Sequence, residues 1–386
     1  MKPILLLGVI TAALASAPAS AQIAVSANDG KQLRPGEAAT TRTPDTVSVL
    51  DLRSYPPKMI GSVQAPASMI GPPASVAVAR DGSFALVSAA QRLTAAGELE
   101  LNDTLSVIDL ANPGAPRVLQ TVQAGPGASG ITINRAGTLA LIASTGDDSI
   151  SIFSIAGKHL TPEGRLQLPA KSRPTDVDFA PSGKTALAVA QGSGQLITLT
   201  ITGKAVTIGG TVRTGVQPYG VAYSPDGRFA YNTNLGGRTP SPGAAPATGP
   251  RTGTVTAVDL ATRAVTSVDV GLTPEHLTLS ADGRYMAVVI ANGSAAAPGS
   301  AGYSPFGLLK IYSVRGATIT PVTEAHSGAW CQGALFIGGH KTVLIQCAMS
   351  RDIEVYRFDG KALTRDEAAT LHFDARPGAI ATATSR

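Results

Sequence analysis

Long apolar runs, cysteine, aromatic residues and charge are all scarce, and each shortage closes off a class of function. Beyond the first two dozen of the 386 residues, no run is apolar over the roughly 20 positions that a membrane-spanning helix needs. The two cysteines, Cys331 and Cys347, sit in no CxxC pair and no CxxCH haem motif, and neither has a histidine at ligand spacing. No metal and no cofactor is therefore expected. GxSxG elbows, Walker loops and dinucleotide fingerprints are also missing from any strand-to-helix context, so none of those chemistries is expected. Charged residues make up 15% of the chain and the net charge is +5. They are scattered and nowhere form a basic run interleaved with aromatics, which excludes nucleic acid as a partner. The mild basic balance favours anionic ligands or envelope surfaces.

What is present is Gly, Pro and short runs of Val, Ile, Leu and Thr, the composition of many short strands joined by turns. The chain opens MKPILLLGVITAALASAPASA, with one Lys, an apolar run from Ile4 to about Ala15, and small residues ending at Ala21. That is the layout of a secretory signal. Residues 1–21 are expected to be removed, leaving a periplasmic or secreted monomer without a membrane span. Residues 22–44 read as a flexible lead-in and 45–386 as the folded domain. In an oxidising compartment Cys331 and Cys347 are expected to form a disulfide, because they flank one hairpin (QGALFI, GGHK, TVLIQ) that sets them opposite each other.

The organising unit is clearest in GVQPYGVAYSPDGRFAYNTN, Gly215 to Asn234. Two short apolar runs flank Pro225-Asp226-Gly227, where Gly227 supplies the φ > 0 that a tight hairpin needs. Similar hairpins begin at Pro73, Ala128, Pro174, Pro274 and Gln332, and a last one starts at Pro377 and is cut off. Alternating strands recur between them, from DTVSVLDL (45–52) to RDIEVYRF (351–358), seven in all. The first of these strands lacks a preceding hairpin and the last hairpin lacks a following strand, so each end completes the other. The predicted fold is all-β: a seven-bladed β-propeller of four-stranded antiparallel blades. Pairing of 45–52 with the tail after Pro377 is expected to close the ring, leaving no free sheet edge at either end.

PYGVAYSPDGRFAYNTN and DTVSVLDL resemble the YVTN-repeat propellers of exported bacterial proteins, YncE-like proteins among them. They also resemble the wider superfamily that includes seven-bladed lactonases. The resemblance covers Asp45 to about Ala381 and implies fold more than function, since this architecture hosts binders, lyases, lactonases and dehydrogenase subunits.

The start of each inner strand and the end of the next lie at one edge, so residues around each repeat proline are expected to ring one mouth of the central channel. Most are small. The exceptions are Arg173, Asp176, Tyr219, Glu275, His276, Trp330 and Arg376. Three inserts, Ala89–Asn102, Gly236–Arg251 and Asn292–Phe306, rise on the same face and are expected to be loops draped over it. GLTPEHLTLSADG, around His276, resembles the GPRH-x-x-F-x-PDG segment of lactonase-type propellers, where the His is taken to be catalytic. Glu275 stands where that pattern has Arg, and Leu279 where an aromatic is common.

Two functions follow as expectations. The first is a propeller that binds a small molecule or an envelope protein at this mouth, with Arg173, Tyr219, Trp330 and Arg376 as ligand contacts. The alternative is a lactonase-like hydrolase or cyclase with His276 as general base, assisted by Glu275 and Asp176 and with an arginine on the oxyanion. The competing reading of His276 is a rim residue hydrogen-bonded to a neighbouring loop. A redox subunit would have to borrow its cofactor.

Overall fold

Alternation along each strand decides which neighbour its side chains meet. In the strand Phe84–Leu93, Phe84 and Leu86 pack into one apolar cluster while Ala85 and Val87 pack into another, on the opposite face of the sheet. This division recurs around the chain until seven clusters fill seven interfaces between sheets. Middle strands such as Thr185–Ala190 (TALAVA) are apolar on both faces because both faces are buried. The computed structural model describes residues 23–34, 36–237 and 252–383; the expected signal segment 1–21 lies outside them. It is a seven-bladed β-propeller of antiparallel sheets, with the outer strand of the last blade split in two. Among the described residues no helix is long and apolar enough to cross a membrane.

Numbered around the ring, blades 2 to 7 have inner strands Val76–Val78, Ala128–Ile133, Pro174–Phe179, Pro218–Tyr223, Pro274–Leu279 and Cys331–Ile337. Blade 1 closes the ring. Its order is Arg376–Ala381, Ile23–Asp29, Thr46–Asp51, Lys58–Gln64. The two chain ends share one sheet, but 45–52 is not paired with the tail. Ile23–Asp29 stands between them, pairing Val25 with Ala381 on one side and Val49 on the other. A stretch expected in the flexible lead-in is thus a fully buried strand. The last inter-blade cluster, in which Ala24, Leu50 and Ile380 meet Leu335 and Leu344, seals the ring with apolar contact as well as backbone pairing.

Inner strands begin in a repeated way. The residue just before five of them is left-handed: Gly127, Arg173 (φ 46°), Gln217 (φ 55°), Thr273 (φ 59°) and Trp330 (φ 46°). A β-bulge follows in the same five blades. Left-handed backbone at a non-glycine residue costs about 1 kcal/mol or more, and bulges re-aim the side chains beside them. The chain therefore spends stability to set the orientation of residues at this end of the channel.

The inserts differ from expectation. Ala89–Asn102 is no loop. It prolongs the hairpin of Phe84–Leu93 and Leu99–Asp109, with Arg92 paired opposite Glu100 and bridging it at 2.7 Å. Of Gly236–Arg251, residues 238–251 lie outside the described residues. Asn292–Phe306 is a run of turns in which Asn292 Nδ2 donates to the Ser304 hydroxyl and to the Phe306 carbonyl, both at 3.3 Å. Ser294 Oγ accepts the Trp330 N–H at 2.9 Å.

Cys331 and Cys347 are directly paired across the hairpin and form a disulfide. It closes a loop of 16 residues' separation, for which chain-entropy arguments give about 3 kcal/mol. Reduction, or the Cys331→Ala/Cys347→Ala pair, is expected to lower unfolding stability by roughly that amount in urea titrations. An unchanged midpoint would show that the cross-link constrains nothing.

Candidate active site in the central channel

At the strand-start end the channel is covered. The segment between Lys58–Gln64 and the blade 2 inner strand crosses it, bolted to blade 1. Asp45 accepts the Ala67 N–H at 3.1 Å and Asp29 accepts the Met69 N–H at 3.0 Å. Lys31, buried between those carboxylates at 2.9 and 3.3 Å, also meets the Ala67 carbonyl. Gly71 then reaches the hydroxyl of Tyr219 with its backbone amide. Tyr219 belongs to blade 5, which is no neighbour of blade 2, so the contact spans the channel. Beside it lies Glu275, which takes a hydrogen bond from the indole of Trp330. Burial pushes the Glu275 carboxyl up to about 8, with the Trp330 hydrogen bond only partly offsetting it. The Tyr219 phenol is raised well above its ordinary value, chiefly by burial and then by Glu275. The structure thus brings Tyr219, Glu275 and Trp330 together, as a neutral lid structure rather than as the lining of an open hole.

Asp176 and His276 lie one layer deeper. Glycines make their room. A Cβ on Gly130 would stand 2.4 Å from Asp176 Oδ1, and one on Gly220 would stand 3.8 Å from Asp176 Oδ2 and 4.0 Å from His276 Cδ2. Asp176 accepts the Val177 N–H at 2.9 Å and the Val221 N–H, from the next blade, at 3.0 Å. His276 Nδ1 accepts the Ala334 N–H, also from the next blade, at 3.0 Å. A backbone amide can only donate, so the neutral ring carries its proton on Nε2. The Nδ1 lone pair is thus engaged between blades 6 and 7, and the proton sits on the other ring nitrogen. Glu275, largely protonated at neutral pH, is no anionic partner for it.

The two arginines fare differently. Arg376 is buried at the ring closure, giving hydrogen bonds to the carbonyls of Gln32 and Ala348, both at 2.9 Å, and pairing with Glu37. It ties blade 1 together. Arg173 is half-buried at the start of blade 4, its N–H held by Asp148 at 2.7 Å.

Below His276 the channel holds a cavity of about 240 Å³ to which all seven blades contribute. Of the seven expected site residues only His276 lines it, and the lining runs away from the covered end toward the hairpin turns. Its walls include Thr132, Asp178, Tyr223 and Thr278, and its rim Arg80 and Arg135. Asp178 is buried and accepts the Thr132 hydroxyl at 3.1 Å. Burial, then the neighbouring Asp178 charge, pushes the Tyr223 phenol up. At the head of the inner strands, Ser75 Oγ, Ser129 Oγ and Gln332 Oε1 are buried without a hydrogen-bond partner, the condition in which interior polar groups take up water or ligand hydroxyls. Among the described residues, Cys331, Cys347 and Glu354 have metal-ligand spacing, but the two sulfurs are bonded to each other.

The model of the family described as "Lactonase, 7-bladed beta-propeller" matches residues 85–218. The likeness is to lactonase-type propellers. The match covers about a third of the chain, and no curated protein matches in sequence. Among solved structures, a Bacteroides fragilis protein assigned as a 6-phosphogluconolactonase has a TM-score of 0.70 at 18% identity, over 95% of this chain and 99% of its own. The periplasmic gluconolactonase of Pseudomonas aeruginosa has 0.67 at 15%, over 94% and 99%. Hydrazine synthase of Kuenenia stuttgartiensis has 0.57 at 15%, over 77% and 79%. At such identities the lactonase-type propellers and the hydrazine synthase share with this chain a fold, not a reaction.

Proposed function

We propose that this chain is an exported, lactonase-like hydrolase that opens a small cyclic ester in the central-channel cavity. The observation that carries the reading is His276, the residue matching the lactonase-type motif. It lines a cavity, covered at one end, that also presents the buried Asp178 carboxylate. The family match and the likeness to a gluconolactonase favour this over a purely binding role. In the reaction, the oxygen of water bonds to the ester carbonyl carbon and the ring C–O bond breaks. The ring oxygen takes up a proton, and the new acid releases one to leave a hydroxy-carboxylate. His276, protonated on Nε2, is suited to donate to the carbonyl oxygen as charge develops there. Asp178 is suited to accept from the attacking water. Export is supported by the signal-like first 21 residues and the disulfide.

The test is direct. Purified mature chain is expected to accelerate hydrolysis of glucono-δ-lactone over buffer with saturation kinetics, followed by proton release. Saturable binding without acceleration would leave the chain a binding propeller.

A further inference from the structure

The hairpin turn of blade 7 departs from the repeat. Where blades 4, 5 and 6 turn on PSG, PDG and ADG, the strands Cys331–Ile337 and Thr342–Cys347 are joined by Gly338-Gly339-His340-Lys341. Gly338, Gly339 and His340 are all left-handed, with φ of 61°, 64° and 83°. The glycines take that region freely, whereas His340 does so against a steric cost. Its ring is held from blade 6, with the Tyr285 centroid 5.1 Å away and Asp282 3.6 Å from Nδ1. Phe358 meets the same Tyr285 edge-on at 4.9 Å. Blade 1 supplies Tyr55, an exposed ring fixed by its hydroxyl bond to Asp366. The Arg357 guanidinium lies over that ring, 4.4 Å from its centroid.

Tyr55, His340, Lys341, Thr342, Arg357 and Phe358 line a groove of about 580 Å³ whose walls are mainly apolar. That volume is within the range of about 300–1,000 Å³ usual for small-molecule sites. The groove shares no lining residue with the central cavity. Its charge is unevenly used. Asp359, also in the lining, accepts the N–H groups of Lys361 and Ala362 at 2.8 and 2.7 Å. Arg357 and Lys341 come from adjoining strands, since the Phe358 N–H donates to the Lys341 carbonyl at 2.8 Å. Among the described residues neither forms an ion pair. Arginines beside turns of the two neighbouring blades, on the same face, are paired: Arg53 with Asp51 at 2.6 Å and Arg284 with Asp282 at 2.7 Å. A guanidinium set over a ring keeps its donors, which lie in its own plane, for two carboxylate oxygens. Aromatic walls in turn favour an aromatic body packed edge-on or offset. A bare inorganic anion would leave those walls uncovered.

We infer that this groove, between the blade 7 hairpin turn and Tyr55 of blade 1, is a second binding site that takes a small aromatic carboxylate. Arg357 and Lys341 hold the carboxylate, and Tyr55 and His340 contact the ring. The site does not depend on the channel opening a lactone.

Titration calorimetry of the mature chain tests this with 2-naphthoate, its neutral counterpart 2-naphthalenemethanol and its saturated counterpart decahydro-2-naphthoate. Naphthoate is expected to bind, the alcohol to bind roughly tenfold more weakly or worse, and the saturated acid about three- to tenfold more weakly. The Arg357→Ala/Lys341→Ala pair is expected to weaken naphthoate by roughly tenfold or more. Its ligand-free melting temperature is expected to stay unchanged, as both side chains are exposed. Tyr55→Leu is expected to bring naphthoate down to the level of the saturated acid. Absence of naphthoate binding, or full binding in the folded double variant, would overturn the site. Equal binding of the alcohol would overturn the carboxylate contact, and equal binding of the saturated acid the aromatic one.

Discussion

His276→Ala is expected to lower kcat/KM for lactone opening by about 10²–10³, the cost of removing one preorganised donor from a developing oxyanion. His276→Gln is expected to recover at least a tenfold part of that loss. The two variants separate the donor role from the base role. Glutamine's amide reaches about as far as the distal nitrogen of imidazole and can donate, but it cannot take a proton from water. If His276 were a base, both variants would fall to the same floor. Stability needs its own measurement, because deleting the ring strips the Ala334 N–H of its acceptor. An orphaned buried amide costs about 1–3 kcal/mol, so His276→Ala is expected to melt several degrees lower while remaining folded at assay temperature. Activity unchanged in both variants would take His276 out of the chemistry and leave it as a strut between blades 6 and 7.

Much of the fold was legible because the hairpins repeat with their turn chemistry intact: PDG, ADG and PSG sit between two short apolar runs each time. Ile23–Asp29 escaped because IAVSAND, although followed by the turn dipeptide Asp29-Gly30, has no apolar run returning directly after that turn. Its neighbours in the sheet are the far terminus and a strand beyond a 16-residue connection. Its pairing partners cannot be read locally. At the site, the repeat register located His276 correctly at the channel but could not tell a covered end from an open one. The cover is built by residues 67–71, whose sequence is unremarkable; it is held by Lys31, Asp29 and Asp45, which lie far from it in the chain. Asp178 was within reach, since side chains two apart on a strand share a face and Asp176 had been singled out. Arg80 and Arg135 were also visible, as arginines at a turn position that is Pro or Ala in the next three hairpins. Turns that short suggest no site. Arg376 holds the expected position in the repeat, but blade 1 is built from both chain ends, and Glu37 and the carbonyls of Gln32 and Ala348 engage its guanidinium, which no local pattern shows.

Glu275→Gln is expected to stabilise the chain at pH 8 and to flatten its stability between pH 5 and 8. The folded-state carboxyl titrates at about 8 against an ordinary 4.5, because burial at the cover disfavours the anion. Over that interval the folded chain holds a proton that the unfolded chain has released. Stability therefore falls as pH rises from the unfolded value to the folded one, by up to about 1.4 kcal/mol per unit, and levels off above it. The contribution is fully present below pH 4.5 and is lost by pH 8. Integrated over the window, the loss amounts to a few kcal/mol, enough to move a melting temperature by several degrees. Glutamine keeps the neutral shape and can still accept from the Trp330 indole, but has no proton to lose. Melts at pH 5, 6.5 and 8 read the effect, and coincident profiles for the two proteins would sink it. A second signal is available because Trp330 is the sole tryptophan and donates to this carboxyl. Its fluorescence is expected to titrate with a midpoint near 8 in the unmodified chain and to stay level in Glu275→Gln. With Trp330 bonded to this carboxyl and Tyr219, which Gly71 meets from across the channel, beside it, ionising Glu275 loads a charge into the polar contact that spans the covered end. A midpoint in lactone turnover that tracks the fluorescence would mean that the cover and the cavity beneath it respond to the same proton.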